Sequence, residues 1–549
     1  MTSSLRRDGS SLDKPTRSDT PERVVGHERW VMALVLLAYV ALITVVSAHH
    51  EPWGDETQTW RMSIDTNGLV DLYRSSRYEG HPLLFHAILQ LIGHVSRSWW
   101  AAVAFHVTVA GVAAWLVLWY APFTRLQKAL LVFGYFPAYE YAVIVRPYGL
   151  GMMLAFAACV AWMAAPRRTI WAGVLLALLA NTTIMGTLLA LTLALAFAID
   201  WLWPDDAAPR RWWRNVGPGM VLTLAAVFCV LWILKEQVET PPDAGFVVRP
   251  KVEASRFTLW NLGSIPVVEL RALFPLSMIQ DGVVEWTHWL FRPESSLDLG
   301  LLLICAAIVL GVGCLIAARR RAALVFFLVG TTGYIIFFKF LLNGSSRHHG
   351  YLFVVWVIAA WLAWGGQPSA WPRMPRVTGE AEAIGRRLFT CSLVIPVIAT
   401  MEYVVADLRG PFADATNAAT AIRQQGLDRA PIIGLARLHA QSVAALLDRK
   451  VIFPVEGKTL SFIEWGRGAG YRNGARATDS VATALLTREC RVLVITSPWN
   501  EVLPATASRG RAIYTTHGTS ITRLRYRVWL LSAPASERCP PGADSGAAP

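Results

Sequence analysis

The chain has 549 residues, of which 54% are hydrophobic and only 16% charged, and its formal net charge is +13. Globular proteins carry roughly a quarter charged residues, so this composition argues against a single soluble domain. The basic residues lie mostly in short segments between apolar runs. That pattern is typical of membrane topology signals and disfavours a groove that binds nucleic acid.

Residues 1–29 are polar and rich in Ser, Arg and Asp, and we expect a disordered cytoplasmic tail with no cleavable signal peptide. Residues 30–405 then contain apolar runs long enough to cross about 30 Å of hydrocarbon. They predict a polytopic α-helical membrane protein with about eleven transmembrane helices. The predicted spans are 30–48, 99–120, 129–146, 148–165, 170–183, 186–203, 217–235, 299–317, 323–342, 351–366 and 387–405. The polar Asn181-Thr182-Thr183 is interpreted as a turn between two short helices.

Lys and Arg in the short loops predict the orientation, because basic loops stay in the cytoplasm. With a cytoplasmic N-terminus, every inside loop is basic, as at Arg167-Arg168 and Arg319-Arg320-Arg321. The chain is therefore predicted to lie in the cell inner membrane, with the long loops 49–98 and 236–298 outside the cytoplasm. The short segment 343–350 is interpreted as a further outside loop.

Both long loops contain features suited to the membrane surface. In the first, His81 to Val95 predicts an amphipathic helix that lies on the membrane. In the second, four aromatic residues suit the interface between lipid and water. They are Trp260, Trp286, Trp289 and Phe291.

Residues 406–549 differ from the rest and predict a soluble, extracytoplasmic α/β domain. Strands are expected at 431–434, 450–453 and 490–496, with a helix at 439–447. Cys490 and Cys539 could pair there, although their separation cannot be read from sequence. Four aromatic and basic residues either line a sugar-binding face or belong to a surface loop. They are Trp465, Arg467, Tyr471 and Arg472.

The first outside loop begins Glu51-Pro52-Trp53-Gly54-Asp55-Glu56, just beyond the first apolar run. Adjacent carboxylates at a membrane edge can supply a general base. Taken alone, they are better explained as solvated acids near a helix end.

Three further elements fall on the same predicted side: Gly80-His81-Pro82, Arg146-Pro147-Tyr148 and Arg347-His348-His349-Gly350. Arginines at this depth are costly and usually pair, for example with a lipid phosphate. Each could instead be a snorkelling or loop residue. Acids and cations collected at one face, against the positive-inside trend, favour a shared site.

The order of these elements resembles the GT-C glycosyltransferases, especially the bacterial branch similar to protein O-mannosyltransferases and to aminoarabinose transferases of lipid A. In that group an acidic motif opens the first outside loop, an H-P-containing amphipathic stretch follows, and an R-P-Y-like element comes later. Here these elements are Asp55-Glu56, His81-Pro82 and Arg146-Pro147-Tyr148. The Arg347-His348 segment is similar to a late-loop R-H or R-Y element in related proteins. The resemblance covers roughly residues 30–405.

The resemblance implies transfer of a sugar from a polyprenyl-phosphate-linked donor to an acceptor hydroxyl at the outer face of the membrane. Asp55 is the expected base, with Glu56 as second choice. The expected phosphate-binding residues are Arg146, Arg347 and His348, with Tyr148 beside them. His81 either orients substrate or caps the amphipathic helix. The acceptor is left open between a protein, a lipid and a polysaccharide.

Two questions stay open at this stage. A second catalytic acid is sought among Glu140, Glu79 and Asp65, although Glu140 is equally suited to pair with a cation such as Arg146. No residues have recognisable metal-ligand spacing, so no cofactor is assigned and dependence on a divalent metal is left open. Two rival functions are considered. Secondary transporters often consist of two repeated halves, and the sequence shows no such repeat. The other rival is a catalytically inert assembly protein with the same fold.

Overall fold

The computed structural model describes residues 26–77, 79–164, 169–203, 217–238, 267–280, 283–289, 295–342, 344–369, 378–465, 474–498 and 510–533. The predicted tail therefore lies outside the described residues, except for its last turn. So do Arg167, Arg168, Trp260, Phe291, Arg467, Tyr471, Arg472 and Cys539.

Up to residue 409 the described chain is almost entirely helical. The first helices are α1 Gly26–His49, α2 Gly54–Asp65, α3 Gly68–Ser76, α4 Leu84–Val95, α5 Trp99–Tyr120 and α6 Arg125–Val132. A five-residue π-helix, Phe136–Glu140, precedes α7 Pro147–Met163, α8 Thr169–Ala180, α9 Ile184–Leu202 and α10 Gly217–Val238. Then follow α11 Val267–Leu273, a hairpin of β1 Ser277–Gln280 and β2 Val283–Trp289, and α12 Ser296–Ala317. The last are α13 Arg321–Phe340, α14 Ser346–Gly365, α15 Gly379–Ser392 and α16 Val394–Arg409.

Among the described residues, seven helical segments are long and apolar enough to cross a membrane. They are Arg29–His49, Trp99–Tyr120, Ile184–Leu202, Ser296–Ala317, Arg321–Phe340, Ser346–Gly365 and Gly379–Arg409. Each coincides with a predicted span, and three more predicted spans coincide with shorter apolar helices in α7, α8 and α10. The chain is thus a multi-pass helical membrane protein. The predicted turn is also present, because α8 ends at Ala180 and Thr183 caps α9.

The predicted helix 129–146 is wrong. The chain there forms the end of α6, the π-helix and an irregular segment that runs to Arg146, and residues 134–146 are all buried. Pro137 lacks the N–H that a continuous helix needs, and Pro147 disfavours a helical conformation at the residue before it. Arg146 is accordingly extended, with φ −136° and ψ 161°, and Pro147 begins α7.

Two other predicted boundaries also change. The amphipathic helix begins at Leu84 and not at His81, so His81-Pro82 lies in the segment that leads into it. Arg347, His348, His349 and Gly350 do not form a loop, because α14 begins at Ser346 and includes all four in its first turns. Ser345 precedes this helix as its N-cap, a role that serine commonly fills.

The C-terminal part is an α/β domain, as predicted. It contains α17 Ala415–Gln424, β3 Ile432–Gly434, α18 Arg437–Leu446, β4 Val451–Phe453, β5 Lys458–Leu460, α19 Gly474–Leu486, β6 Arg491–Thr496, β7 Arg511–Thr515 and β8 Arg527–Ser532. The strands form one sheet in the order β5-β4-β3-β6-β8-β7, in which β4, β3 and β6 are parallel. Cys490 is disulfide-bonded. Because Cys539 lies outside the described residues, its pairing with Cys490 stays a prediction.

This domain packs directly on α2. Thr57 donates to the Gln441 amide oxygen over 3.0 Å, and Gln58 exchanges two 2.8 Å hydrogen bonds with the main chain of Ile463. Gly54 permits the close approach, since a Cβ there would lie 2.5 Å from the Leu438 Cγ. The C-terminal domain therefore helps to fix the helix that carries the acidic pair.

Candidate active site

Asp55 lies in the first turn of α2 and faces two arginines from distant segments. Its Oδ2 is 2.9 Å from Nη2 of Arg347 and 3.9 Å from Nη2 of Arg146. Its side chain is 25% exposed, whereas Glu56, Glu79 and Glu140 are buried. Among the described residues, none hydrogen-bonds its Oδ1. Asp55 is thus the most accessible carboxylate of the cluster.

Arg146 is held in place by α2 and by the segment before α4. Its Nη1 donates to the main-chain oxygen of Asp55 over 2.8 Å and to the Thr59 hydroxyl over 2.6 Å. Its Nη2 lies 3.0 Å from Nε2 of His81, while its Nε is buried without a hydrogen-bond partner. This buried cation keeps donor capacity that its neighbours do not use.

His81 is a neutral imidazole whose tautomer follows from Arg146. A guanidinium only donates, so Nε2 of His81 accepts and the proton is on Nδ1. Burial, together with the charges of Arg146, His86 and Arg347, lowers the pKa of His81 well below its ordinary value. Its Nδ1–H is buried and unpartnered. The structure does not use His81 as a helix cap, because α4 has no side-chain cap.

Arg347 is enclosed by two tryptophans. Its guanidinium carbon lies 5.0 Å from the ring centre of Trp53 and 5.4 Å from that of Trp286, distances typical of cation–π contacts. Trp286 is therefore wrongly predicted as an interfacial residue: it is 5% exposed and covers the site. Its indole N–H donates to Glu140 over 2.8 Å. The side chain of Trp289 lies outside the described atoms.

His348 and Tyr148 form a second polar pair beside Arg347. The main-chain N–H of Ser345 donates to Nδ1 of His348 over 2.9 Å, so the proton of this imidazole is on Nε2. The Nε2–H then donates to the Tyr148 hydroxyl at 3.1 Å. The hydroxyl hydrogen of Tyr148 is left to donate elsewhere.

Glu56 has a different environment from its neighbour Asp55. It is 1% exposed and accepts hydrogen bonds from the main-chain N–H groups of Trp53, over 3.1 Å, and Val145, over 2.6 Å. Its Oε2 also lies 3.2 Å from Nε2 of His50. Because Val145 precedes Arg146 and Trp53 precedes α2, Glu56 ties the two halves of the site together.

The three candidates for a second acid separate clearly. Asp65 lies at the far end of α2, where it pairs with Arg61 and Arg97. Glu140 accepts from Tyr135 and Trp286 and forms no ion pair with Arg146. Glu79 is within electrostatic reach of Asp55 and Arg146 and accepts from Gln58 and Trp465. Burial raises the pKa of Glu79 to about 6, against the hydrogen bond from Gln58 and the charge of Arg146.

The site thus joins the predicted elements from α2, the 79–82 segment, the start of α7 and the start of α14. It sets one accessible carboxylate against two guanidiniums, which both lie within 3.9 Å of Asp55. Such a site favours a multiply charged anion. Within the described part of the chain, no group of three or more His, Cys, Asp or Glu side chains is arranged to hold a metal ion.

Sequence reasoning missed His50, Trp53 and Trp286 as parts of the site. Trp53 stands within the quoted acidic segment, and its position beside Asp55 was the available signal. Trp286 carries no such signal, because its contact with Glu140 joins residues 146 positions apart. His50 lies six positions before Glu56, but its other carboxylate partner, Asp407, is 357 positions away.

No protein-family model matches this chain, and no curated protein matches it. Among solved structures, ArnT from Cupriavidus metallidurans in the apo state matches with a TM-score of 0.51 and 14% identity. The match covers 94% of this chain and 100% of ArnT. Arabinofuranosyltransferase AftD from Mycobacteria matches 92% of this chain and 42% of its own, with 13% identity, but its TM-score of 0.39 is too low to argue from. The likeness to ArnT shows that this chain has the GT-C fold.

Proposed function

We propose that the chain is a membrane glycosyltransferase, which moves a sugar from a polyprenyl-phosphate-linked donor to an acceptor hydroxyl at the extracytoplasmic face. The observation that carries the proposal is the placement of Asp55 between Arg347 and Arg146. These residues come from three segments that are distant in sequence. The sequence resemblance links this chemistry to the GT-C fold, which is the fold of this chain.

Asp55 is the proposed general base. It accepts the proton of the acceptor hydroxyl as the acceptor oxygen bonds to the anomeric carbon. The bond between that carbon and the phosphate oxygen breaks, and polyprenyl phosphate leaves. Exposure supports the choice, since an acceptor can approach Asp55, whereas Glu56 is enclosed by its own hydrogen bonds.

Arg146 and Arg347 are proposed to hold the donor phosphate and to stabilise the charge that it gains on leaving. Without a bound donor, Arg347 donates a hydrogen bond to the Asp55 carboxylate. A phosphate that engages both guanidiniums competes for these contacts, and the Asp55 carboxylate is then free to accept the proton of the acceptor hydroxyl. Donor binding thereby prepares the base for the acceptor.

His81, Tyr148 and His348 are proposed to orient the donor. The unpartnered Nδ1–H of His81 and the hydroxyl hydrogen of Tyr148 are neutral donors next to the two guanidiniums. Neutral donors add direction without adding to the positive charge. We assign Glu56 a positioning role in place of the reserve base role that its sequence position implied.

The acceptor side is proposed to lie toward the C-terminal domain. Trp465 of that domain donates to Glu79, and Gln58 joins Glu79 to Ile463. Because the domain packs on α2 next to the site, we place both on the extracytoplasmic side, with the N-terminus in the cytoplasm. The acceptor itself is a hydroxyl of a protein, a lipid or a polysaccharide.

The test is transfer of labelled sugar from polyprenyl-phosphate donors by the purified full chain. We expect Asp55→Asn to lower turnover by about 10²- to 10⁴-fold, the usual contribution of a general base. Asp65→Asn is the matched control, since Asp65 lies on the same helix and pairs with Arg61 and Arg97 away from the site. Wild type that neither turns over nor binds any polyprenyl-phosphate donor would refute the proposal.

A further inference from the structure

His50 is a buried histidine that the proposed chemistry does not use. It follows α1 directly, and its side chain is 3% exposed. Its Nδ1 is 2.8 Å from Oδ2 of Asp407 in α16, and its Nε2 is 3.2 Å from Oε2 of Glu56 in α2. The ring also packs edge-on against Phe412, at 4.5 Å between centres.

These contacts favour a positively charged ring. An ionised carboxylate only accepts hydrogen bonds, so both ring nitrogens donate to two ionised partners, and only the imidazolium form has two N–H groups. Asp407 also accepts from the Tyr139 hydroxyl over 3.0 Å. A positive ring between two buried carboxylates leaves the group with one net negative charge, whereas a neutral ring would leave two.

His50 is connected to the site through Glu56. One carboxylate oxygen of Glu56 accepts hydrogen bonds from His50 and from the main-chain N–H of Trp53. The other accepts a hydrogen bond from the main-chain N–H of Val145. Asp55 and Arg146 are the chain neighbours of Glu56 and Val145. A rotation of Glu56 would therefore move the proposed base and one phosphate-binding arginine together.

We propose that His50 is a positioning residue, whose positive charge holds Glu56 and Asp407 and so aligns Asp55 with Arg146 for donor binding. The proposal rests on the proposed function. It also links the active site to α16, from which the chain continues into the C-terminal domain.

The pH range of this effect follows from the groups that face His50. Burial alone would lower the pKa of His50, but the negative charges of Asp407 and Glu56 outweigh it and hold that pKa well above its ordinary value. Glu140 of the π-helix interacts with the same charge, and Glu51 is occupied by the main-chain N–H groups of residues 413, 414 and 416. The stabilisation is complete below the ordinary histidine pKa and is lost as pH rises through the raised one.

The experiment compares wild type, His50→Gln, Asp407→Asn and His49→Gln as full chains, by affinity for undecaprenyl phosphate and by unfolding temperature from about pH 7 to about pH 10. The second pKa of a phosphate monoester is about 6, below this range. His49 is the matched control, because it is exposed and bonds only the main chain of its own helix. We expect His50→Gln to weaken affinity about tenfold at pH 7 and to abolish the alkaline loss of affinity.

Asp407→Asn keeps a hydrogen-bond acceptor but removes the largest source of charge that raises the pKa, so the alkaline loss should move to lower pH. His49→Gln should match wild type. The proposal is overturned when His50→Gln retains the wild-type pH dependence, whether or not its affinity falls. Failure of wild type to bind undecaprenyl phosphate would count against the proposed function alone. In that case the unfolding temperatures test the proposal. If wild type unfolds at a higher temperature than His50→Gln and this difference does not shrink with rising pH, the proposed role of the charge is overturned.

Discussion

The candidate site and a second polar cluster lie at opposite ends of α7 and α14. In the second cluster Arg320 donates to Asp200 over 2.6 Å, and Trp162 donates to the same oxygen over 3.1 Å. Arg320 also contacts the main-chain oxygen of Leu362 near the end of α14. Both regions therefore contain a partly buried arginine–aspartate pair, which alone does not indicate a function.

The two regions differ in access. The Asp55 side chain is 25% exposed and faces two guanidiniums, whereas the Asp200 side chain is 10% exposed and bonds Arg320 and the indole of Trp162. The Asp200 cluster joins the ends of α7, α9, α13 and α14, so we interpret it as a structural contact between these helices. The accessibility of Asp55, and not the ion pair itself, distinguishes the site.

The largest expected effects come from removing one arginine of each region. Arg347→Gln should lower sugar transfer by about 10²- to 10³-fold, because it removes a cation that stabilises the leaving phosphate. Arg320→Gln should instead lower the free energy of unfolding by about 1.5–3 kcal/mol, because it removes a charge-assisted hydrogen bond to Asp200. Turnover and chemical denaturation of both variants check this. A loss of transfer in Arg320→Gln with intact stability would remove the distinction.

A smaller effect is expected from Arg146→Lys, which keeps the charge and removes the planar fork. The guanidinium of Arg146 reaches the Asp55 main chain, Thr59 and His81 at once, and an ammonium cannot reproduce that geometry. We expect transfer to fall by about 10- to 100-fold. Arg61→Lys is the control, because Arg61 also contacts α2 residues but is paired with Asp65 and Asp448. Equal losses of sugar transfer in the two variants would show that the effect is not specific to Arg146.

These residues also show what sequence could predict. Asp55, His81, Arg146, Tyr148 and Arg347 were chosen from charge at one membrane face and from the order of short motifs, and the structure brings them together. Apolar run length likewise predicted the helices, since it reports directly on the thickness of the bilayer.

The failures have a common physical cause. The break at residues 133–146 depends on Pro137 and on hydroxyl and carboxylate partners from other helices, such as Tyr39 with the main-chain oxygen of Pro137 and Asp407 with Tyr139. The burial of Trp286 depends on Arg347 and Glu140, which are distant in sequence. Long-range partners decide both cases, and hydrophobic periodicity does not report on them.

Glu79 offers a test of the acceptor side of the site. Its pKa is raised to about 6, so the folded state binds a proton more tightly than the unfolded chain does. The wild type should therefore lose stability relative to Glu79→Gln as pH rises from about 4.5 to about 6, by about 2 kcal/mol in all. Gln58 and Trp465 both donate to Oε1, and a glutamine oxygen can accept both bonds. Unfolding measured from acid to neutral pH checks this, and a difference that is independent of pH contradicts it.

The smallest effect is expected where the C-terminal domain meets Glu79. Trp465→Phe removes one indole N–H and keeps most of the ring, so the free energy of unfolding should fall by about 1 kcal/mol. Lys458→Met is the control, because Lys458 belongs to the same domain and forms an exposed ion pair with Glu464 in which Glu79 takes no part. If the domain is needed only to support α2, Trp465→Phe should leave the turnover per folded molecule unchanged. A larger fall in turnover than in stability, with a raised KM for the acceptor, would place Trp465 in contact with the acceptor and make this domain part of the site.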